Sequence, residues 1–195
     1  ALSALAAQLS SAIERRHAEA TLRESEARQA FLLSLSDEMR LLNTPNEIAS
    51  LAVERLGERF NLSRVFYAEY FGNIMKIERD FTRGVISIVG EHDLTAFGPE
   101  LLRTYHECPV VKVDDVQTDP RFNSDARAGL RERQVGAYLD VVLFENTHWV
   151  SLLAMQSVTK RGWTASEGGL FREVAERVKA AIERARAQDR LHELN

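Results

Sequence analysis

Apolar residues near both ends of the chain recur at steps of three and four. Leu2, Leu5, Leu9, Ala12 and Ile13 form one row, and Phe171, Val174, Val178, Ala181 and Ile182 form another. Laying Ile13 over Ile182 puts both rows in one phase. The segments around them, SAIERRHAEATLRE from Ser11 and AAIERARAQDRLHE from Ala180, then share Ala12, Glu14, Arg15, Ala18, Leu22 and Glu24. A narrow apolar row edged by Glu and Arg predicts a helix whose seam suits a partner helix. Leu32, Leu35, Met39 and Leu42 make a third row, out of register with the first. The slip falls in the polar stretch 21–29, where a stutter, a kink or a short break would each accommodate it. As one helix, residues 2–42 would reach about 60 Å. The rows at 32–42 and 171–181 also fit packing on the chain's own core, whereas 2–12 lies far from the compact part.

Thr44 with Glu47 three residues on predicts a capping box, with Pro45 in the first turn and Ile48, Leu51, Ala52, Val53 and Leu56 as the buried face. RVFYAEYF and IMKIERDF, separated by Gly72 and Asn73, predict a hairpin. GPELLRTYHE predicts a short helix, VVKVDDV a strand, QTDPRFNSDA a loop and DARAGLRERQ another short helix. AYLDVVLFE and HWVSLLAMQSV are two further strands joined across Asn146 and Thr147, and Thr164 with Glu167 opens a long exit helix through a second capping box. Hairpin-joined strands with helices at both ends make an α+β domain around a mostly antiparallel sheet.

Composition narrows the class. The chain has 195 residues, 45% hydrophobic, enough for one real core, and a formal charge of −4. Its Lys and Arg interleave with Glu rather than gathering into a patch, so nothing electrostatic calls for nucleic acid. No apolar run approaches about 20 residues, so no membrane span is predicted. A single cysteine excludes an internal disulfide framework and points to a reducing, cytoplasmic setting. With neither an initiator Met nor a signal peptide, the expectation is a piece of a longer protein.

RVFYAEY, GPELLRTYHECPVVKVDDVQTDPRF, VGAYLDVVLFE and SLLAMQSVTKRGWTASE, in that order and at this spacing, resemble a GAF domain. The likeness is to GAF domains set between other sensor modules and the kinase core of bacterial sensor histidine kinases. It implies a central antiparallel sheet of about six strands, flanking helices, long N- and C-terminal helices and a small-molecule pocket. It also implies an organisation: residues 1–30 as a connector helix ending a preceding module, 31–187 as the GAF domain, 188–195 as the start of an outgoing connector. The repeated helix at the two ends fits a string of modules that each finish in the same connector. Partners implied are a second copy, paired through Leu2, Leu5, Leu9, Ile13, Phe171, Val174, Val178 and Ile182, and neighbouring sensor and kinase domains of the same chain.

The pocket wall implied by the resemblance comprises Tyr70, Phe97, Tyr138, Asp140, Met155 and Trp163; aromatic and Met residues at alternate strand positions also simply fill cores. DLTAFGPELLRTYHECPVVKVDDV is similar to the bilin-wrapping stretch of phytochrome GAF domains at Pro99, Arg103 and around Asp114. Three departures argue against a covalent bilin. Phe97 stands where that pattern has Asp, no thiol occurs near positions 125 and 126, and Gln156 and Ser157 replace pocket histidines. The cofactor is therefore left unknown. Cys108 reads as a small core residue, with a redox thiolate as its alternative. Methionine sulfoxide reductases of this family need several cysteines, and the cyclic-nucleotide signature of other members is missing. Haem through His92 or His106 would rest on single, unpaired histidines. LSDEMRLL resembles a phosphoacceptor box but has Asp37 in the histidine's place, and His192–Glu193 sits in plain coiled coil. Asp114 and Asp115 lack a His or Lys partner at catalytic spacing, and no Gly-rich ATP segment exists. The expectation is a non-catalytic sensory or dimerisation module, whether ligand-binding with a pocket of several hundred Å³ or degenerate, its pocket filled by Phe97, Tyr138 and Met155.

Overall fold

The computed structural model describes residues 2–193, and side chains from 8 to 192. It divides into two compact units, one ending at Glu38 and the other beginning at Met39. The first is the greater part of helix α1 (Leu2–Arg40), unbroken through 21–29, so the register slip is carried inside one continuous helix of about 58 Å. Leu9 is 65% exposed and Ile13 50%. The side chains of Leu2 and Leu5 lie outside the described residues.

The second unit begins with the end of α1 and the capping box. Glu47 N donates to Thr44 Oγ1, and Thr44 N donates back to the Glu47 carboxylate, which the Thr44 hydroxyl and backbone hold below the usual carboxylate range. Helix α2 (Pro45–Arg59) leads into β1 (Arg64–Phe71) and β2 (Ile74–Thr82), turned at Gly72 with φ 64°. There follow β3 (Gly90–Asp93), a 3-10 turn (Leu94–Phe97), α3 (Pro99–Glu107), β4 (Val110–Val113), α4 (Ser124–Glu132), β5 (Ala137–Glu145), β6 (His148–Ser157) and α5 (Ala165–Glu193). All neighbouring strands are antiparallel, in the order β3-β2-β1-β6-β5-β4. Strand β3, Gly-Glu-His-Asp, has no β-branched or aromatic residue and escapes the sequence reading.

The central strands β1, β5 and β6 are buried on both faces. One lies under α2 and α5, where Leu139, Leu153 and Met155 meet the helix layer. Phe171, Val174, Val178 and Ile182 are wholly buried within this layer, and Phe171 meets Phe60 edge-on at 4.8 Å. These four are therefore core residues of one subunit and not an exposed dimer seam. A helix packed on a sheet and a helix in a coiled coil need the same spacing, so periodicity could not separate them. Arg184 Nη2 donates to Met39 O at 3.0 Å, fastening α5 to the end of α1. No described helix is long and apolar enough to cross a membrane.

Gly136 joins α4 to β5 with its N–H on Ser157 O and its carbonyl accepting from Val116 N, both at 2.8 Å. A Cβ there would stand 2.4 Å from Val158 O, a backbone atom. Gly136→Ala is expected to cost about 2–3 kcal/mol in urea unfolding, by overpacking a site that only backbone movement can relieve.

Candidate ligand pocket

The other face of the sheet carries Phe66, Ala68, Tyr138, Val142, Leu152 and Ala154, covered by α3, α4 and the 3-10 turn. Between them lies a cavity of about 70 Å³. Strand alternation decides who faces it: Tyr138 and Asp140 on β5, Leu152 and Gln156 on β6. Trp149 reaches the same face through a bulge. Leu143 pairs with Ser151 but Phe144 pairs with Trp149, so the extra residue Val150 resets the alternation. Helix α3 contributes Leu101 and Tyr105, one turn apart on its buried side.

The lining is otherwise apolar, which makes its polar groups conspicuous. Asp140 is 6% exposed. Its Oδ2 accepts from Tyr105 Oη at 2.5 Å, while Oδ1 finds no hydrogen-bond partner among the described residues. Burial pushes the Asp140 carboxyl up to about 7, against the Tyr105 hydrogen bond that favours the ionised form. Burial, then the Asp140 charge, raises the hydroxyls of Tyr105 and Tyr138, so both phenols stay protonated donors. Trp149 stacks with Tyr105 at 5.1 Å and with Tyr70 at 3.9 Å, holding the ring that supplies Asp140's donor.

Gln156 is fixed from behind. Arg64, fully buried, donates from Nη1 to Gln156 Oε1 at 2.6 Å, from Nε and Nη2 to Ile86 O at 3.2 and 2.7 Å, and from Nη2 to Arg133 O at 2.9 Å. A guanidinium only donates, so the amide atom facing it is the oxygen and the Gln156 N–H groups are turned elsewhere.

Of the residues expected to wall the pocket, Phe97, Tyr138 and Asp140 line the cavity. Tyr70 stands one ring behind, on Trp149. Met155 does not line it: lying between Ala154 and Gln156, it points to the opposite face, into the helix layer. Trp163 is also elsewhere, with Nε1 donating to Val113 O at 3.2 Å and its ring 6.3 Å from Phe171. Tyr105 and Trp149 were not expected as wall residues, whereas Gln156 stands where the resemblance has a pocket histidine and does line the cavity. The Leu101–Tyr105 spacing could have found Tyr105; Trp149 was hidden by the bulge.

Positions 125 and 126 are the Asp and Ala of the first turn of α4, and Gln156 is held by Arg64. The cavity is well below the roughly 300–1,000 Å³ of sites for drug-sized ligands. His92 Nε2 lies 2.6 Å from Ile88 O and His106 packs edge-on to Trp149; neither lines the cavity. Cys108, half-buried at the end of α3, is outside it as well.

Comparison with known proteins bears on the fold. No curated protein is significantly similar in sequence. The phycoerythrobilin-bound GAF domain from a cyanobacterial phytochrome superposes with a TM-score of 0.71 at 13% identity, over 83% of this chain and 96% of that one. The chromophore-binding domain of an unusual bacteriophytochrome from R. palustris gives 0.72 at 8% identity, over 85% of this chain and 63% of that one. Free methionine-R-sulfoxide reductase from Neisseria meningitidis, in complex with its substrate, gives 0.66 at 12% identity, over 85% and 93%. At such identities the likeness is one of fold. A sequence model of the GAF domain matches residues 44–182, the span from the α2 capping box to the buried part of α5. With that match over most of its length and the six-stranded sheet to go with it, the chain belongs to the GAF domain family.

Proposed function

We propose that this domain is a sensory module of a bacterial multi-domain signalling protein, most simply a sensor histidine kinase. On this reading it binds a small molecule in the cavity over β5 and β6. The observation that carries the proposal is Asp140. A buried carboxylate with one oxygen unpartnered lowers stability, and an apolar residue there would not. Such a group is expected where a ligand completes it.

The route out of the pocket is short. Tyr70 stacks on Trp149, and its neighbour Glu69 pairs with Arg186 of α5 across the sheet. Lys179 of α5 likewise reaches Glu145 at the end of β5. A ligand that shifts the Trp149 stack would bias α5, and with it a downstream domain, by favouring one of two packings. The domain acts by binding and not by turnover, with its one thiol away from the cavity. Dimerisation belongs to the same proposal, through α1, where Leu9 and Ile13 are exposed.

Two measurements test this. Native mass spectrometry of the protein from its own host is expected to show a dimer retaining a small non-peptide mass. A bare protein in every preparation would remove the support for a ligand. Leu9→Glu with Ile13→Glu is expected to convert the dimer to a folded monomer in light scattering; a dimer that survives both would place the interface elsewhere.

A further inference from the structure

We propose that the cavity takes a small organic ammonium ion, its N–H groups on Asp140 Oδ1 and its apolar body against Phe66, Leu94, Phe97 and Leu152. This rests on the cavity being a ligand site, as set out above, and adds the ligand's charge and chemistry.

The choice follows from what each class of ligand would leave unsatisfied. Asp140 is the only acidic or basic side chain among the lining residues. The titratable and polar groups around it are Tyr105 from α3, Tyr138 on its own strand and Gln156 from β6, none of them a cation. Nearby cations are committed elsewhere. Arg121 pairs with Asp119 at 2.6 Å and also donates to Lys112 O. Arg64 is spent on Ile86 O, Arg133 O and Gln156 Oε1, and Arg133 donates to its own helix at Gly129 O. A hydrocarbon would leave Oδ1 unpaired, and a carboxylate would meet the like charge of a buried group. An alcohol would satisfy one hydrogen bond and leave the charge uncompensated. An ammonium ion supplies both the donor and the charge, and a charge-assisted bond is stronger than a neutral one. At about 70 Å³ the cavity suits a body of a few carbons and excludes a large cofactor.

The experiment uses the 195-residue chain, ¹⁵N-labelled, titrated separately at pH 8 with three molecules of one shape: isobutylammonium, isobutanol and isobutyrate. Isobutylammonium is expected to shift the amides of Asp140, Leu152 and Gln156 and to bind roughly tenfold more tightly than isobutanol. Isobutyrate is expected to leave those amides unmoved. Asp140→Asn should bring isobutylammonium down to the level of isobutanol. Because a proton on Asp140 competes with the ligand, wild-type affinity for isobutylammonium should fall between pH 8 and pH 6. If isobutanol or isobutyrate binds as well as the amine, or Asp140→Asn keeps the amine's advantage, the cation assignment is overturned while a ligand site of another class stands. If none of the three moves the cavity amides, the assignment is likewise overturned. The sensor reading is then judged separately, by whether the host-purified protein retains a molecule.

Discussion

Replacing Asp140 with Asn is expected to stabilise the protein at pH 8 and to change little at pH 5. The folded state holds the Asp140 carboxyl up to about 7, against an ordinary value of 3.8. Its folded pKa is raised, so the proton is bound more tightly in the folded chain than in the unfolded one. Wild-type stability should therefore fall as pH rises from about 4 to about 7 and level off above. Roughly three pH units at about 1.4 kcal/mol each set an upper bound near 4 kcal/mol for the cost of the ionised group. Asn keeps an oxygen for the Tyr105 hydroxyl but turns an unpaired amide N–H to the cavity, which takes back about 1–3 kcal/mol. A net gain of roughly 2 kcal/mol at pH 8 is expected in urea unfolding. A pH-independent difference, or a loss at pH 8, would mean that the charge is already compensated inside the fold.

Arg64→Met is expected to have the opposite and larger effect, a loss of about 3–5 kcal/mol. Arg64 is buried, and burial draws its pKa down although Asp80 opposes this. Met fills much of its volume but leaves Ile86 O, Arg133 O and Gln156 Oε1 without their donor, and an unsatisfied buried acceptor costs about 1–3 kcal/mol. The loss should also be local before it is global. Hydrogen exchange should rise first at Ile86 N, which donates to Gln134 Oε1, and at Ile88 N, which donates to Asp80. Arg64→Lys, with a compact ammonium in place of the planar fork, should recover only part of the stability. A wild-type midpoint for Arg64→Met would show that this network is not what fixes the 83–89 segment and Gln156.

The elements announced by local chemistry were the ones legible in the sequence. Both capping boxes formed as spaced, at Thr44–Glu47 and Thr164–Glu167, and the turns at Gly72 and Asn146 sit where positive φ was needed. Strand β3 was not legible, because Gly-Glu-His-Asp is held by pairing with β2 and not by its own propensity. The row from Phe171 to Ile182 has the right period for two roles, and only its burial under α2 and against the sheet decides between them. The pocket turned on parity. Asp140 and Tyr138 face the cavity, while Met155 points to the other face of the strand that carries Gln156. Trp149 depends on the bulge at Val150, a tertiary feature with no mark in an alternating pattern. The unpaired oxygen of Asp140 is a three-dimensional fact and could not have been read from one letter.

Carboxyl ¹³C chemical shifts of Asp140, followed from pH 3 to pH 9 in the unliganded chain, bear most directly on the account. A midpoint near 7 is the expected result, and adding an alkylammonium ion should draw it downward. A midpoint near 4, unmoved by the amine, would mean that the carboxylate is already satisfied and would contradict the reading of the cavity as an incomplete site.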